Sequence, residues 1–147
     1  MKIASFLLLS CVYIFAADFW TLSGLTKVNV YVSNTVSLIK PETMALIKQN
    51  MKNTLVNQGI KSDQRDCPIL MLTLSEIEND ETHYVYVTLS LGEDVHTLRD
   101  KKSVSFALTY MINDFIEPDE SELDSEILVS VTALLFRFKE QFEDDKE

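Results

Sequence analysis

Apolar and polar residues alternate along several segments of the chain, which is the pattern of strands with one buried face. Val28, Val30 and Val32 form the first alternation. Residues 69–74 are apolar on both faces, as in a central strand. Residues 83–91 alternate again. These segments predict three strands.

A fourth strand is predicted over residues 103–112. Gly92 marks either a bulge or the end of the preceding strand, and a hairpin turn is expected at residues 99–102. The apolar set of the fourth strand, which we expect to share one buried face, is Val104, Phe106, Leu108, Tyr110 and Ile112.

Two other segments carry apolar residues every three or four positions, which predicts amphipathic helices. The first begins at Pro41 and ends at Gly59, a residue suited to a left-handed C-cap. The second follows Ser121 and Asp124, which resemble a capping box with Asp in place of Glu. The stripes are Met44, Ile47, Met51 and Leu55 in the first helix, and Ile127, Val131, Leu134, Phe138 and Phe142 in the second.

The predicted order is therefore β-α-β-β-β-α, an α+β fold. A four-stranded, largely antiparallel sheet with two amphipathic helices on one face buries every apolar stripe. We assign residues 18–26 to a lead-in segment, residues 27–143 to a single α+β domain and residues 144–147 to an acidic tail. The face without helices is expected to carry Tyr84, Tyr86, Thr88, Ser103, Ser105 and Thr109.

Over residues 26–143, this order and size resemble small bacterial envelope domains. Examples are the lipopolysaccharide-assembly lipoprotein partner and the N-terminal domain of the Tol-system translocation protein. The resemblance is one of topology and assigns a role to no individual residue. It implies an accessory or binding role.

Residues 1–17 have the three parts of a secretory signal peptide. Lys2 is followed by an uncharged apolar stretch that ends in two alanines. The stretch is shorter than the ~20 residues that span a bilayer core. We therefore expect an exported protein, in a bacterial periplasm. Two alternatives stay open: a lipoprotein attached at Cys11, or an uncleaved membrane anchor formed by residues 3–17.

The chain is strongly acidic, with a formal net charge of −10. This charge repels nucleic acid and anionic lipid headgroups, so neither is expected as a ligand. We therefore expect the protein to contact a membrane only through an uncleaved or lipidated N-terminus. Once the signal peptide is removed, Cys67 stands alone and cannot form an internal disulfide.

The sequence carries no motif that predicts a catalytic residue, a cofactor or a metal. It has no Gly-x-Ser-x-Gly elbow, and its three glycines stand apart. His83 and His96 flank one predicted strand, which separates them by roughly 40 Å at ~3.3 Å per residue. The acidic run at residues 117–124 lacks the alternating ligands of a Ca²⁺ loop and fits the positive N-terminus of a helix.

We therefore expect a non-enzymatic interaction or assembly domain that binds an envelope protein through its sheet face or edge. Tyr84 and Tyr86 are the candidate partner-binding residues, because exposed rings can stack on a partner; pairing across strands is the alternative. The alternative function is a carrier of a small apolar or lipid ligand between helices and sheet. Its adaptable lining would be Met44, Met51, Met71 and Met111.

Overall fold

The computed structural model describes residues 21–79 and 82–146. The chain forms β1 (Asn29–Asn34), α1 (Pro41–Asn57), β2 (Ile69–Asn79), β3 (Thr82–Thr97), β4 (Asp100–Ile116) and α2 (Leu123–Asp144). This confirms the predicted order of elements. The predicted signal peptide, with its two alternatives, lies outside the described residues. Within the described ranges, no helix combines the length and the apolar character needed to cross a membrane.

The four strands form one sheet in the order β1-β2-β3-β4. β1 runs parallel to β2, whereas β3 is antiparallel to both of its neighbours. A parallel pair needs a crossover connection, and α1 supplies it. Both helices contribute to a core on one face of the sheet. The predicted α+β fold is therefore confirmed, and we call the other face of the sheet the open face.

The core between the helices and the sheet accounts for most of the apolar stripes. It contains Leu70, Leu72, Leu74, Val85, Val87 and Leu89 from the sheet, and Ile47, Met51, Leu55, Ile127, Val131 and Phe138 from the helices. The ring of Tyr110 meets Phe138 edge-on, with 5.7 Å between centroids. Burial raises the pKa of Tyr110 to about 12, because a phenolate would be poorly solvated there. Tyr110 therefore stays neutral and packs as an aromatic ring.

The C-terminus of α1 follows the prediction. Gly59 has a left-handed φ of 74°. Its N–H donates to the carbonyl of Val56 (3.0 Å), and the N–H of Ile60 donates to the carbonyl of Leu55 (2.9 Å). This pair of hydrogen bonds is a Schellman motif. Ile60 and Leu55 are both buried, so the end of the helix is joined to the core.

The N-terminus of α2 differs from the prediction. Its N-cap is Glu122, without a side-chain capping hydrogen bond, so the capping box of Ser121 and Asp124 is wrong. The Asp124 carboxylate instead accepts the N–H of Lys40 at 3.1 Å and lies 3.0 Å from Lys40 Nζ. A hydrogen bond from the Thr43 side chain is the main cause that lowers the pKa of Asp124, and Lys40 adds to it. Asp124 thus links the first turns of the two helices.

We expect Asp124→Asn to lower the free energy of unfolding at neutral pH by about 0.5 kcal/mol, the scale of an exposed ion pair. The pKa of Asp124 is lowered in the folded state, so its contribution is present above the unfolded value. It is lost as the pH falls through the lowered pKa. Urea denaturation in neutral and in acidic buffer measures this difference. Glu120→Gln is the control, and an Asp124→Asn difference that persists in acid would contradict the account.

Asp145, which the sequence assigns to the acidic tail, contacts the lead-in segment. Its carboxylate accepts hydrogen bonds from the N–H of Leu22 and from the side chain of Gln141. Leu22 is only 2% exposed. The described part of the lead-in therefore packs against the C-terminal end of α2.

A bulge interrupts the pairing of β3 with β4. Leu91 pairs with Tyr110, but the next residue of β3, Gly92, pairs with Leu108. Thr109 is therefore an extra residue in β4. One extra residue reverses the faces of all residues beyond it, because side chains alternate with a period of two. Of the two predicted roles for Gly92, the bulge is the one observed.

This bulge overturns the prediction of a single buried face on β4. Tyr110 is buried, whereas Val104, Phe106 and Leu108 lie on the open face. Their exposed fractions are 58%, 58% and 42%. Ser105, predicted on the open face, pairs with Val95 on the opposite side. The bulge thus brings large apolar side chains to the solvent.

Candidate functional site on the open face of the sheet

The open face changes character along the strands. Directly paired residues form rows across the sheet. The two rows beside the bulge are Asn29-Ile69-Gly92-Leu108 and Tyr31-Met71-Ser90-Met111, the middle row is Ser33-Thr73-Thr88-Asn113, and the row beyond it is Ser75-Tyr86-Phe115. The apolar patch is defined as Tyr31, Ile69, Met71, Phe106, Leu108 and Met111. A row of small polar residues separates it from the aromatic end of the face.

The ring of Phe106 lies directly over Gly92. A Cβ atom added to Gly92 would fall among the atoms of that ring, so only glycine permits this approach. Beside the ring is a hollow of about 300 Å³, lined by Asn29, Tyr31, Ile69, Met71, Gly92 and Phe106. We call it the apolar hollow. Its walls can surround one large apolar side chain of a partner.

We expect Gly92→Ala to destabilise the protein by no more than about 0.5 kcal/mol, because the new methyl group displaces only the far end of the half-exposed Phe106 ring. In a Phe106→Ala background the ring is absent. There the same substitution should stabilise by up to about 0.5 kcal/mol, since alanine loses less entropy than glycine in a strand. Urea denaturation of the four proteins measures both effects. An effect of equal size and sign in the two backgrounds would contradict the observed contact.

A second hollow, of about 400 Å³, adjoins the first. It shares Ile69, Gly92 and Phe106 with the apolar hollow, and its remaining lining is Asp66, Cys67, Pro68, Glu93 and Asp94. We call it the acidic hollow because Asp66 and Asp94 carry carboxylates; the side chain of Glu93 lies on the other side of β3, as that of Val95 does. Phe106 therefore stands at the border between an apolar and a negatively charged surface.

The predicted partner-binding residues Tyr84 and Tyr86 lie at the other end of the open face. The ring of Tyr84 stacks on Phe115, with 4.9 Å between centroids and 23° between planes. Tyr86 pairs with Phe115 in the register of the sheet. Packing across the strands therefore covers part of each tyrosine side chain, and both side chains are half-buried. Their role in partner binding stays a prediction.

The four methionines of the carrier hypothesis lie on opposite sides of the sheet. Met51 is fully buried under the helices, and Met44 packs against the same core. Met71 and Met111 flank Ser90 on the open face. The four side chains therefore do not form one lining between helices and sheet.

The other residues considered for chemistry are not brought together. β3 is continuous over Thr82–Thr97, so positions 83 and 96 stand near its two ends. Cys67 is half-buried, and its Sγ lies 3.2 Å from the carbonyl oxygen of Gln64. Among residues 21–79 and 82–146, no three His, Cys, Asp or Glu side chains are grouped so that they could hold a metal ion.

The apolar patch was not predicted from the sequence. Val104, Phe106 and Leu108 continue the alternation of Tyr110 without a break, so nothing in their spacing indicates a change of face. The signal that could have found the site is Gly92, because a glycine inside a strand indicates a bulge or a close approach.

No protein-family model matches this chain, and no curated protein matches it. Chains of solved structures match it, among them the two that follow. A minor lipoprotein from Acinetobacter baumannii is 12% identical, with 83% of this chain and 95% of that chain covered and a TM-score of 0.37. A PelC dodecamer from Paraburkholderia phytofirmans is 16% identical, with 78% and 89% covered and a TM-score of 0.35.

Proposed function

We propose that this chain is a non-enzymatic accessory domain of the cell envelope that binds a protein partner through the apolar patch. The observation that carries the proposal is the position of Phe106, which lies over Gly92 and is 58% exposed. A contiguous apolar surface of this kind is typical of a binding site. The apolar stretch within residues 1–17 supports export.

The bulge supports the choice of this surface. Bulges occur beside functional sites, where they redirect side chains. Here the redirected residues are Val104, Phe106 and Leu108, which would otherwise continue the helix-facing side of β4. Moving three large apolar side chains into water is unfavourable for the isolated protein. Contact with a partner offsets that cost.

The helical side of the molecule is less suited to a partner. The groove between the two helices has a volume of about 350 Å³, and polar atoms form a larger share of its lining than of the apolar hollow. Its lining residues are Asn50, Asn53, Thr54, Asn57, Thr132, Leu135, Phe136 and Lys139. Phe136 is 57% exposed there. It provides a matched control for Phe106, because both are exposed phenylalanines on opposite sides of the molecule.

Affinity capture from an envelope extract of the source organism tests the proposal. Three tagged baits are compared: the unchanged protein, Phe106→Asp and Phe136→Asp. We expect a protein that is retained by the first and third baits and lost from the second. Circular dichroism verifies that all three baits are folded. Retention of the same proteins by all three baits would assign binding to another surface.

A further inference from the structure

The tip of the β3–β4 hairpin, residues 97–102, exposes an apolar side chain among cations. Leu98 is 97% exposed, more than any other large apolar residue in the described chain. Its charged neighbours are Arg99, Asp100, Lys101 and Lys102. The Asp100 carboxylate accepts hydrogen bonds from the Lys102 N–H and the Ser103 hydroxyl within the turn itself. The ion pairs of the described residues lie elsewhere, so the tip presents positive charge to the solvent.

The two hollows beside Phe106 have the complementary character. The apolar hollow has room for a large aliphatic side chain, and the adjoining acidic hollow carries Asp66 and Asp94. Neither of these carboxylates takes part in an ion pair within the described chain.

We propose that the hairpin tip of one copy of this chain inserts into the two hollows of a second copy, with Leu98 in the apolar hollow and Arg99 against the acidic hollow. The proposal rests on the proposed function and names a second copy as the partner. Burial of the leucine side chain is favourable, and the guanidinium can pair with carboxylates that form no ion pair among the described residues. Complementary charges set the orientation of the contact.

The tip cannot occupy the hollows of its own chain. Leu98 is six residues beyond Gly92 along the hairpin, a distance of roughly 20 Å at ~3.3 Å per residue. A contact between the two apolar patches is also disfavoured, because it would bring the acidic hollows of both copies together. The contact is therefore head-to-tail, and each copy has a free tip and a free pair of hollows for the next.

The contact is expected to be weak, because one hairpin tip buries less than the ~1,200 Å² of a stable interface. It is measured by sedimentation velocity of the protein recovered after export, from micromolar to millimolar concentration. Salt of ~0.15 M reduces the Debye length to about 8 Å, so the repulsion between the acidic bodies is screened. We expect association beyond the dimer as concentration rises. A protein that stays monomeric over this range would overturn the proposal.

Two variants identify the surfaces. Leu98→Ser removes the tip and Phe106→Ser removes the wall of the hollows; both residues are exposed, so each variant should fold. We expect each variant alone to be monomeric. Their equimolar mixture should form heterodimers and nothing larger, because only one intact tip and one intact hollow remain per pair. Val129→Ser, at a position that is 70% exposed on α2, should associate like the unchanged protein.

The outcomes separate this inference from the proposed function. Association of Leu98→Ser like the unchanged protein, or a mixture that stays monomeric, would overturn the head-to-tail contact. Either result could occur while the Phe106→Asp bait fails to capture a protein other than this chain. In that case the apolar patch would still be a binding site for that protein. If head-to-tail association were observed and Phe106→Asp captured the same proteins as the unchanged bait, only the proposal of a different envelope partner would fail.

Discussion

Phe138→Ala is expected to destabilise the protein by about 3–5 kcal/mol, the cost of removing a large aromatic side chain from a packed core. Phe138 is fully buried on α2. Its ring contacts Tyr110 edge-on and stacks on Phe142, with 6.5 Å between centroids. A domain of this size is stable by only about 5–15 kcal/mol, so the variant should lose a large part of its stability. Urea denaturation measures the effect.

Phe136→Ala is the matched control. It removes the same atoms from the same helix, two residues earlier, where the ring is 57% exposed. We expect a change within about 0.5 kcal/mol, as for most surface substitutions. Equal losses in the two variants would contradict the described orientation of α2 against the sheet.

Deletion of Thr109 is expected to remove the bulge and to leave Phe106 on the open face. The extra residue stands between the pairs Leu91–Tyr110 and Gly92–Leu108, so without it the same pairs continue in register and no face is reversed. In the unchanged protein the Phe106 ring lies over Gly92, and its ring current should shift the Gly92 Hα resonances upfield. The deletion should keep this shift in NMR spectra, together with capture of the partner.

Thr109→Ala distinguishes the effect of the extra residue in β4 from the effect of the Thr109 hydroxyl group. It removes the hydroxyl that donates to Glu93 but keeps the number of residues in β4. We therefore expect the Gly92 resonances to stay shifted in this variant. A deletion variant that lost the upfield shift or partner capture would contradict the described pairing of β3 with β4.

The fold could be predicted from the sequence where one physical signal decided the local structure. Gly59 is an example, because its left-handed conformation and the apolar residue that follows specify the end of α1. The stripe from Ile127 to Phe142 is another, since five apolar residues at helical spacing must share one face. In both cases neighbours in sequence decide the outcome.

The candidate site could not be predicted because its cause is not local. Alternation along β4 indicates two faces, but the register with β3 decides where one face replaces the other. Asp124 gives a similar lesson at the helix ends. Its spacing from Ser121 is that of a capping box, yet Lys40 and Thr43 of a distant segment bind its carboxylate instead. In both cases, contacts with residues distant in sequence decide between two local structures that the sequence alone predicts equally well.

Site-specific photo-crosslinking in cells of the source organism tests the central claim, which is that the apolar patch binds a protein. A benzophenone amino acid replaces Phe106 in one variant and Phe136 in the other. Phe106 and Phe136 are equally large and nearly equally exposed, so random collisions would label the two variants to the same extent. We predict a discrete protein adduct from position 106 and none from position 136. An adduct from position 136 alone, or the same adducts from both positions, would contradict the account.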